Sequence, residues 1–402
     1  MDYDYIVVGR GLTGSAAARH LATAGLQVAL IGPEEPRGGR GLAQGHRTHH
    51  SGVFASHYDE GRITRILDPN PYWARFAQRS IARYRPLEDI TGISFYGEVG
   101  HLAVGQDEGA SRDYLSALQQ VAADLAVEVE ILDQRALQAR FPYFQFYENA
   151  VGLWQRQQAG YLSPRQHVKA QARAVELLGG CLINQEALSV GPVADGVQVE
   201  TAADSYTARG AIVATGGFTH ASNLLPQRLQ LTVRAHTVLL AEVDGADLER
   251  LWSMPSLISK PYDAEAHFYL LPPIRYPDGH WYIKIGCSEM PPIADDLESL
   301  QKWFKGPGES AIADRLKARL SQILPDVQFP AYWVDTCVTT HTPTGYPYID
   351  RLGESPIVTL LGGNGYAGKS ADELGWIAAN LLQQGQWTYD LEAAHFKLRY
   401  AT

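Results

Sequence analysis

The chain has 402 residues, 45% of them apolar, enough for about two or three packed domains with a large buried core. A formal net charge of -10 argues against a nucleic-acid partner, which needs a basic face to replace phosphate counterions. No run of about 18 apolar residues occurs, and Met1-Asp2-Tyr3-Asp4 lacks the basic start of a signal peptide, so membrane insertion is not expected and the cytoplasm is the expected compartment.

Tyr5-Ile6-Val7-Val8 reads as a strand, and it runs directly into Gly9-Arg10-Gly11-Leu12-Thr13-Gly14 and an alanine-rich helix. In this strand, turn and helix, Gly9 permits the tight turn, Gly11 lets backbone approach a pyrophosphate, and Gly14 lets helix and strand pack closely. The free amides around Leu12 and Thr13 then point at the anion. Gly25 ends the helix, and Gln27 to Ile31 supplies the second strand. An acid should follow that strand to hold the adenosine ribose. Gly32-Pro33 stands there instead, which leaves Glu34 as the substitute. The plainer alternative is a doubly wound sheet with an empty turn.

Arg37 to His57 is rich in glycine and histidine, with His46, His49, His50 and His57 close together. Gly41, Gly45 and Ser51-Gly52 favour a loop lining a cofactor over a helix bearing a metal, and no acid or thiolate stands beside the histidines. Arg62 and Arg65 would share one side if their segment were helical; a solvated helix face is the simpler reading. Residues 111 to 142 read as an amphipathic helix, a short strand and a further helical turn at the surface.

Ser163 and Pro164 are an N-cap and first-turn residue for a helix running to Leu178. Strands near residues 181–184, 197–201 and 211–214 follow, the last entering Thr215-Gly216-Gly217, small residues suited to a cofactor passing close by. From Leu231 to Ile285 the pattern becomes alternating and aromatic, with a hairpin turn at Tyr276-Pro277-Asp278-Gly279. In its second strand Trp281, Ile283 and Ile285 face one way and Tyr282 and Lys284 the other, where a solvated lysine is the plain expectation. Cys181, Cys287 and Cys337 are too scattered for a disulfide framework or thiolate metal site and are expected as small buried hydrophobes.

Strand Ile357 to Leu361 enters Gly362-Gly363-Asn364-Gly365-Tyr366-Ala367-Gly368-Lys369-Ser370, and a helix follows through Leu382. Residues 363–370 match a P-loop, which makes a nucleotide hydrolase a rival reading. Only 32 residues follow Ser370, too few for the remaining strands and the magnesium-binding acid of that fold. The other use of the loop is a second helix N-terminus aimed at the same cofactor as the first, with Lys369 near a substrate anion.

Taken in order, these motifs resemble the FAD-dependent D-amino acid oxidase family, and locally its sarcosine oxidase and glycine oxidase branch. Arg62-Ile63-Thr64-Arg65 resembles the branch's arginine pair beneath the flavin, and Tyr282-Ile283-Lys284-Ile285-Gly286 its oxygen-activating lysine strand. Thr336-Cys337-Val338-Thr339-Thr340-His341-Thr342-Pro343 with Ile349-Asp350 resembles its flavin-attaching segment, and Gly363 to Lys369 its carboxylate-binding loop. Ser288 and Tyr366 stand where that branch carries histidines, so sarcosine itself is not the expected substrate.

The resemblance implies an α/β chain: a Rossmann-like FAD-binding domain of the glutathione reductase type and a mostly antiparallel substrate sheet. The expected segments are 1–92, 157–225 and 336–402 for FAD, and 93–156 and 226–335 for substrate. It implies contacts to FAD from Gly9, Gly11, Leu12, Thr13, Gly14, Glu34, His57, Arg62, Thr215, Gly216 and the 363–369 loop, with a thioether at Cys337. Arg65, Tyr269, Tyr366 and Lys369 would hold a small amino acid or amine, and Lys284 would assist reduction of molecular oxygen to peroxide. Tyr58, Phe268 and Tyr282 are further candidates to line the pocket. A dehydrogenase passing electrons to a quinone or carrier, and a non-catalytic flavin module, are the alternatives.

Overall fold

The computed structural model describes residues 1–35 and 52–401. In strand Tyr3–Val8 the apolar half, Ile6 to Val8, is buried on both faces of an eight-stranded sheet, as a central parallel strand must be. Val28–Ile31 lies parallel on one side and Ser205–Val213 on the other; Cys181–Ile183 and Ile357–Leu361 extend the parallel run. Alternation divides the strands between two cores. Val7, Leu30, Ile212 and Val358 pack under helices Leu12–Thr23 and Ala367–Gln384, while Ile6, Val8, Ala29 and Val213 fill the opposite face.

Those two helices touch because glycine and alanine meet: a Cβ at Gly375 would lie 2.6 Å from the Ala17 nitrogen. Asp372, fully buried, pins the pair by accepting from Arg19 at 2.5 Å and from Gln171 of helix Pro164–Leu177 at 2.8 Å. Both N-termini therefore start from one rigid block. No helix among the described residues is long and apolar enough to cross a membrane.

The second sheet has nine strands, all its pairings antiparallel except Ser256–Ser259 beside His101–Gln106. One face carries Leu239, Leu257, Leu270, Ile283 and Ile285 against Leu316 and Leu320 of helix Ser310–Ile323. Register and alternation put His236, Ile258, Tyr269, Lys284 and Cys337 on the other face. The hairpin of Phe268–Arg275 and Trp281–Cys287 forms at the expected turn, with Gly279 at φ +92°. Strand Tyr332–His341 pairs along its length with Thr232–Glu242 and so runs through residue 336, where a domain division was expected.

Three local expectations change. Arg62–Thr64 is a strand rather than a helix, its backbone paired with Gly160–Leu162 in a small three-stranded sheet. Lys284 is buried, 1% exposed, rather than solvated. Cys181 is exposed and Cys287 partly so, since Cys181 opens an edge strand.

Candidate active site

A cavity of about 420 Å³, within the range of roughly 300–1,000 Å³ usual for ligand sites, lies where the glycine turn meets the inner face of the second sheet. Gly9, Gly11, Leu12, Thr13, Thr215, Gly216, Gly363, Gly365, Tyr366, Ala367, Gly368 and Lys369 all line it. The glycines divide the labour. A Cβ at Gly9 would lie 2.3 Å from the Ala214 carbonyl oxygen and one at Gly14 1.9 Å from the Gly9 oxygen, so both are fixed by packing. At Gly11 no atom of the described residues beyond its own neighbours in the chain lies within 4 Å of that position, so its missing side chain leaves room for a ligand.

Gly11 also starts helix Leu12–Thr23 with no side-chain cap, leaving first-turn amides for an anion. Helix Ala367–Gln384 likewise begins uncapped at Tyr366. These open backbone positions fit the diphosphate of a dinucleotide. Glu34 does not line the cavity; its carboxylate pairs with Arg10 at 3.1 Å and is half exposed. Asn364, with φ +50°, uses its side chain to hold the loop, accepting from Thr342 N at 3.0 Å, and Gly14 is buried beneath it all.

The remaining wall is built from charges. Arg65, on the turn after strand Arg62–Thr64, and Lys369, on the first turn of its helix, come from opposite ends of the sequence and meet at Asp68. Lys369 Nζ donates to Asp68 Oδ2 at 2.6 Å and Arg65 Nη2 at 3.3 Å. Burial pulls the Lys369 ammonium down to about 8, against the opposing charge of Asp68. Arg65 Nε is buried with no hydrogen-bond partner among the described residues. Arg62 packs its Cβ 3.2 Å from the position of a Gly368 side chain, and its Nη2 reaches Cys337 Sγ at 3.7 Å.

Cys337 lines the cavity beside its cross-strand partner His236. His236 donates to or accepts from Thr339 Oγ1 at 2.7 Å, and burial pushes its imidazole down to about 3. His57 is likewise pushed down to about 3 by burial, then by nearby arginines, so both rings are neutral at pH 7. Tyr269 fits because its neighbour is Gly286, where a Cβ would lie 2.4 Å from the phenol oxygen. Of the other aromatic candidates, Tyr58 and Tyr366 line the cavity; Phe268 packs in the opposite core and Tyr282 donates to Asp278 at 2.9 Å.

Lys284 is not a lining residue. Its ammonium donates to Asp59 Oδ2 and to the Gly61 carbonyl at 3.0 Å, and Arg62 pairs with the same Asp59 oxygen. Tyr276 donates to Asp59 Oδ1 at 2.8 Å. Asp59 and Asp68 are thus the partners of the candidate site residues that the sequence did not point to. The available signal was an acid three residues before Arg62 and another three after Arg65, in a segment too apolar downstream to be a solvated face. His46, His49 and His50 lie outside the described residues.

Comparison with known proteins agrees with this geometry. N-methyl-L-tryptophan oxidases of Yersinia pestis (strain Pestoides F) and Yersinia pseudotuberculosis serotype O:1b (strain IP 31758) are each 29% identical over 228 residues, 56% of this chain and 56% of each relative. The chain thus matches about half the length of these relatives. In fold it resembles the open form of NikD, an unusual amino acid oxidase essential for nikkomycin biosynthesis, with TM-score 0.77 at 20% identity, covering 100% of this chain and 98% of that one. Glycine oxidase from Geobacillus kaustophilus gives 0.73 at 17% identity, covering 100% and 99%. A family model described as FAD dependent oxidoreductase matches residues 4–381, the span that holds both glycine loops and both sheets, and the chain belongs to that family.

Proposed function

We propose that the protein is an FAD-dependent oxidase that converts the carbon–nitrogen bond of a small amino acid or secondary amine to an imine and reduces oxygen to hydrogen peroxide. The observation that carries this reading is the buried, unpaired Arg65 Nε on the cavity wall next to Lys369. An unmet buried donor costs about 1–3 kcal/mol, and at a cavity wall a ligand carboxylate would relieve that cost. Bound FAD supplies the hydride acceptor and the electrons for oxygen.

The chain's own groups then do the positioning. Arg65 offers a planar fork to a carboxylate and Lys369 a point charge, which together fix the amine-bearing carbon against the cavity floor. Tyr269 and Tyr366 close the sides. Arg62 places fixed positive charge beside Cys337, the residue proposed to carry FAD through a thioether. Lys284, buried with Asp59, supplies positive charge where oxygen is reduced.

The division of the chain into 1–92, 157–225 and 336–402 for cofactor and 93–156 with 226–335 for substrate goes with this reading, except that strand Tyr332–His341 stays whole in the substrate sheet. The cytoplasm is the proposed compartment, in keeping with three free cysteines.

The test is a panel of primary, N-methyl and cyclic amino acids mixed with the holoenzyme without oxygen, followed by air. An oxidase bleaches its flavin with a panel member and yields peroxide on reoxidation. Bleaching with dye reduction but no peroxide would make it a dehydrogenase, and no bleaching at all would leave a non-catalytic flavin module.

A further inference from the structure

Asp68 is a carboxylate buried behind the wall of a site proposed to bind carboxylates: Arg65 and Lys369 line the cavity and it does not. It is fully buried, it accepts from both Lys369 and Arg65, and its second oxygen accepts from Asn70 N at 3.1 Å. That last bond fixes it to the turn before helix Pro71–Ile81, whose N-cap Asn70 accepts in turn from Tyr72 and Trp73. Asp68 is therefore anchored independently of Lys369, whose ammonium it holds.

The groups around the Lys369 ammonium come from several elements. Arg65 shares the turn with Asp68, and the Tyr366 ring lies 5.5 Å away. His101, at the start of strand His101–Gln106, is held neutral by burial, reinforced by Arg65 and Lys369. Tyr84 donates to the Lys369 carbonyl at 3.2 Å. Lys260, after strand Ser256–Ser259, and Tyr114, on helix Gly109–Asp124, act on Arg65 and Asp68. In this set burial and Arg65 disfavour the ammonium, and Asp68 alone favours it.

We infer that Asp68 is a positioning residue of the substrate site: it keeps the Lys369 ammonium charged and aimed at the cavity, so carboxylate binding depends on a side chain of the same charge as the ligand. The inference rests on the proposed carboxylate site. Simple repulsion would make removal of Asp68 strengthen anion binding at every pH. Dependence through Lys369 instead makes the effect change sign: binding needs the ammonium, is kept below its pKa and is lost as pH rises through it.

The experiment titrates acetate into oxidised holoenzyme at constant ionic strength and reads the flavin absorbance. In the wild type the acetate Kd holds steady up to about pH 8 and rises above it. In Asp68→Asn the rise begins at least about one pH unit lower, making the Kd roughly tenfold weaker than wild type near pH 9. A variant with the wild-type break, or tighter binding at every pH, overturns the inference. Wild type that binds no acetate overturns the carboxylate site beneath it and the inference with it. Should Asp68→Asn fail to hold flavin, Lys369→Arg decides, because a guanidinium stays charged without a carboxylate partner. Its acetate Kd should show no rise near pH 8, and a rise kept at the wild-type pH overturns the claim that the dependence runs through Lys369.

Discussion

The two sides of the cavity are made in different ways. On the dinucleotide side the protein works with backbone: glycines that cannot carry a Cβ and two uncapped helix starts. On the substrate side it works with buried charges that counterbalance one another, Arg65 and Lys369 at Asp68, Arg62 and Lys284 at Asp59. A backbone site tolerates no added atom, whereas a charge site tolerates no lost partner.

The largest effect expected is at Gly14. Gly14→Val should yield protein that aggregates or carries no flavin, because even a Cβ there would sit 1.9 Å from a fixed carbonyl. Gly11→Ala sharpens the contrast: with nothing within 4 Å, the apoprotein should melt at the wild-type temperature yet bind FAD more weakly. Equal loss of apoprotein stability in both variants would break the distinction between packing glycine and ligand glycine.

On the charged side, Asp59→Ala removes a buried carboxylate that accepts from Lys284 and Tyr276 and pairs with Arg62, and should cost about 3–5 kcal/mol in denaturant unfolding. An unchanged midpoint would mean the ion pair contributes nothing. Lys284→Met should slow flavin reoxidation by oxygen about 100-fold while leaving anaerobic reduction by substrate intact. Unchanged reoxidation would remove the lysine from the oxygen step. The smallest effect is expected at Glu34, half exposed at its Arg10 pair, where Glu34→Gln should change stability by less than about 1 kcal/mol.

The same contrast explains what could be read from sequence. The glycine turn, the hairpin at Asp278-Gly279 and the Ser163-Pro164 helix start are local: their residue types dictate backbone shape whatever surrounds them. The partner of Lys284 is not local. Asp59 lies 225 residues away from it, and only the packing of the second sheet against the strand after Gly61 brings them together. Strand alternation predicted correctly that Lys284 leaves the Ile283 face, but not that the face it joins is covered. Arg62 and Arg65 both line the cavity, but the conformation of their segment was not legible, since three-residue spacing suits a helix and also a strand followed by a turn.

The account stands or falls on whether the charged wall grips a carboxylate beside the amine. The direct measurement is the rate of anaerobic flavin bleaching by an amino acid that the enzyme accepts, compared with the amine left when its carboxylate is removed. The account predicts bleaching at least about 100-fold faster, at equal low concentration, for the amino acid, because Arg65 and Lys369 position only the molecule they can hold. Equal rates for the two would contradict it.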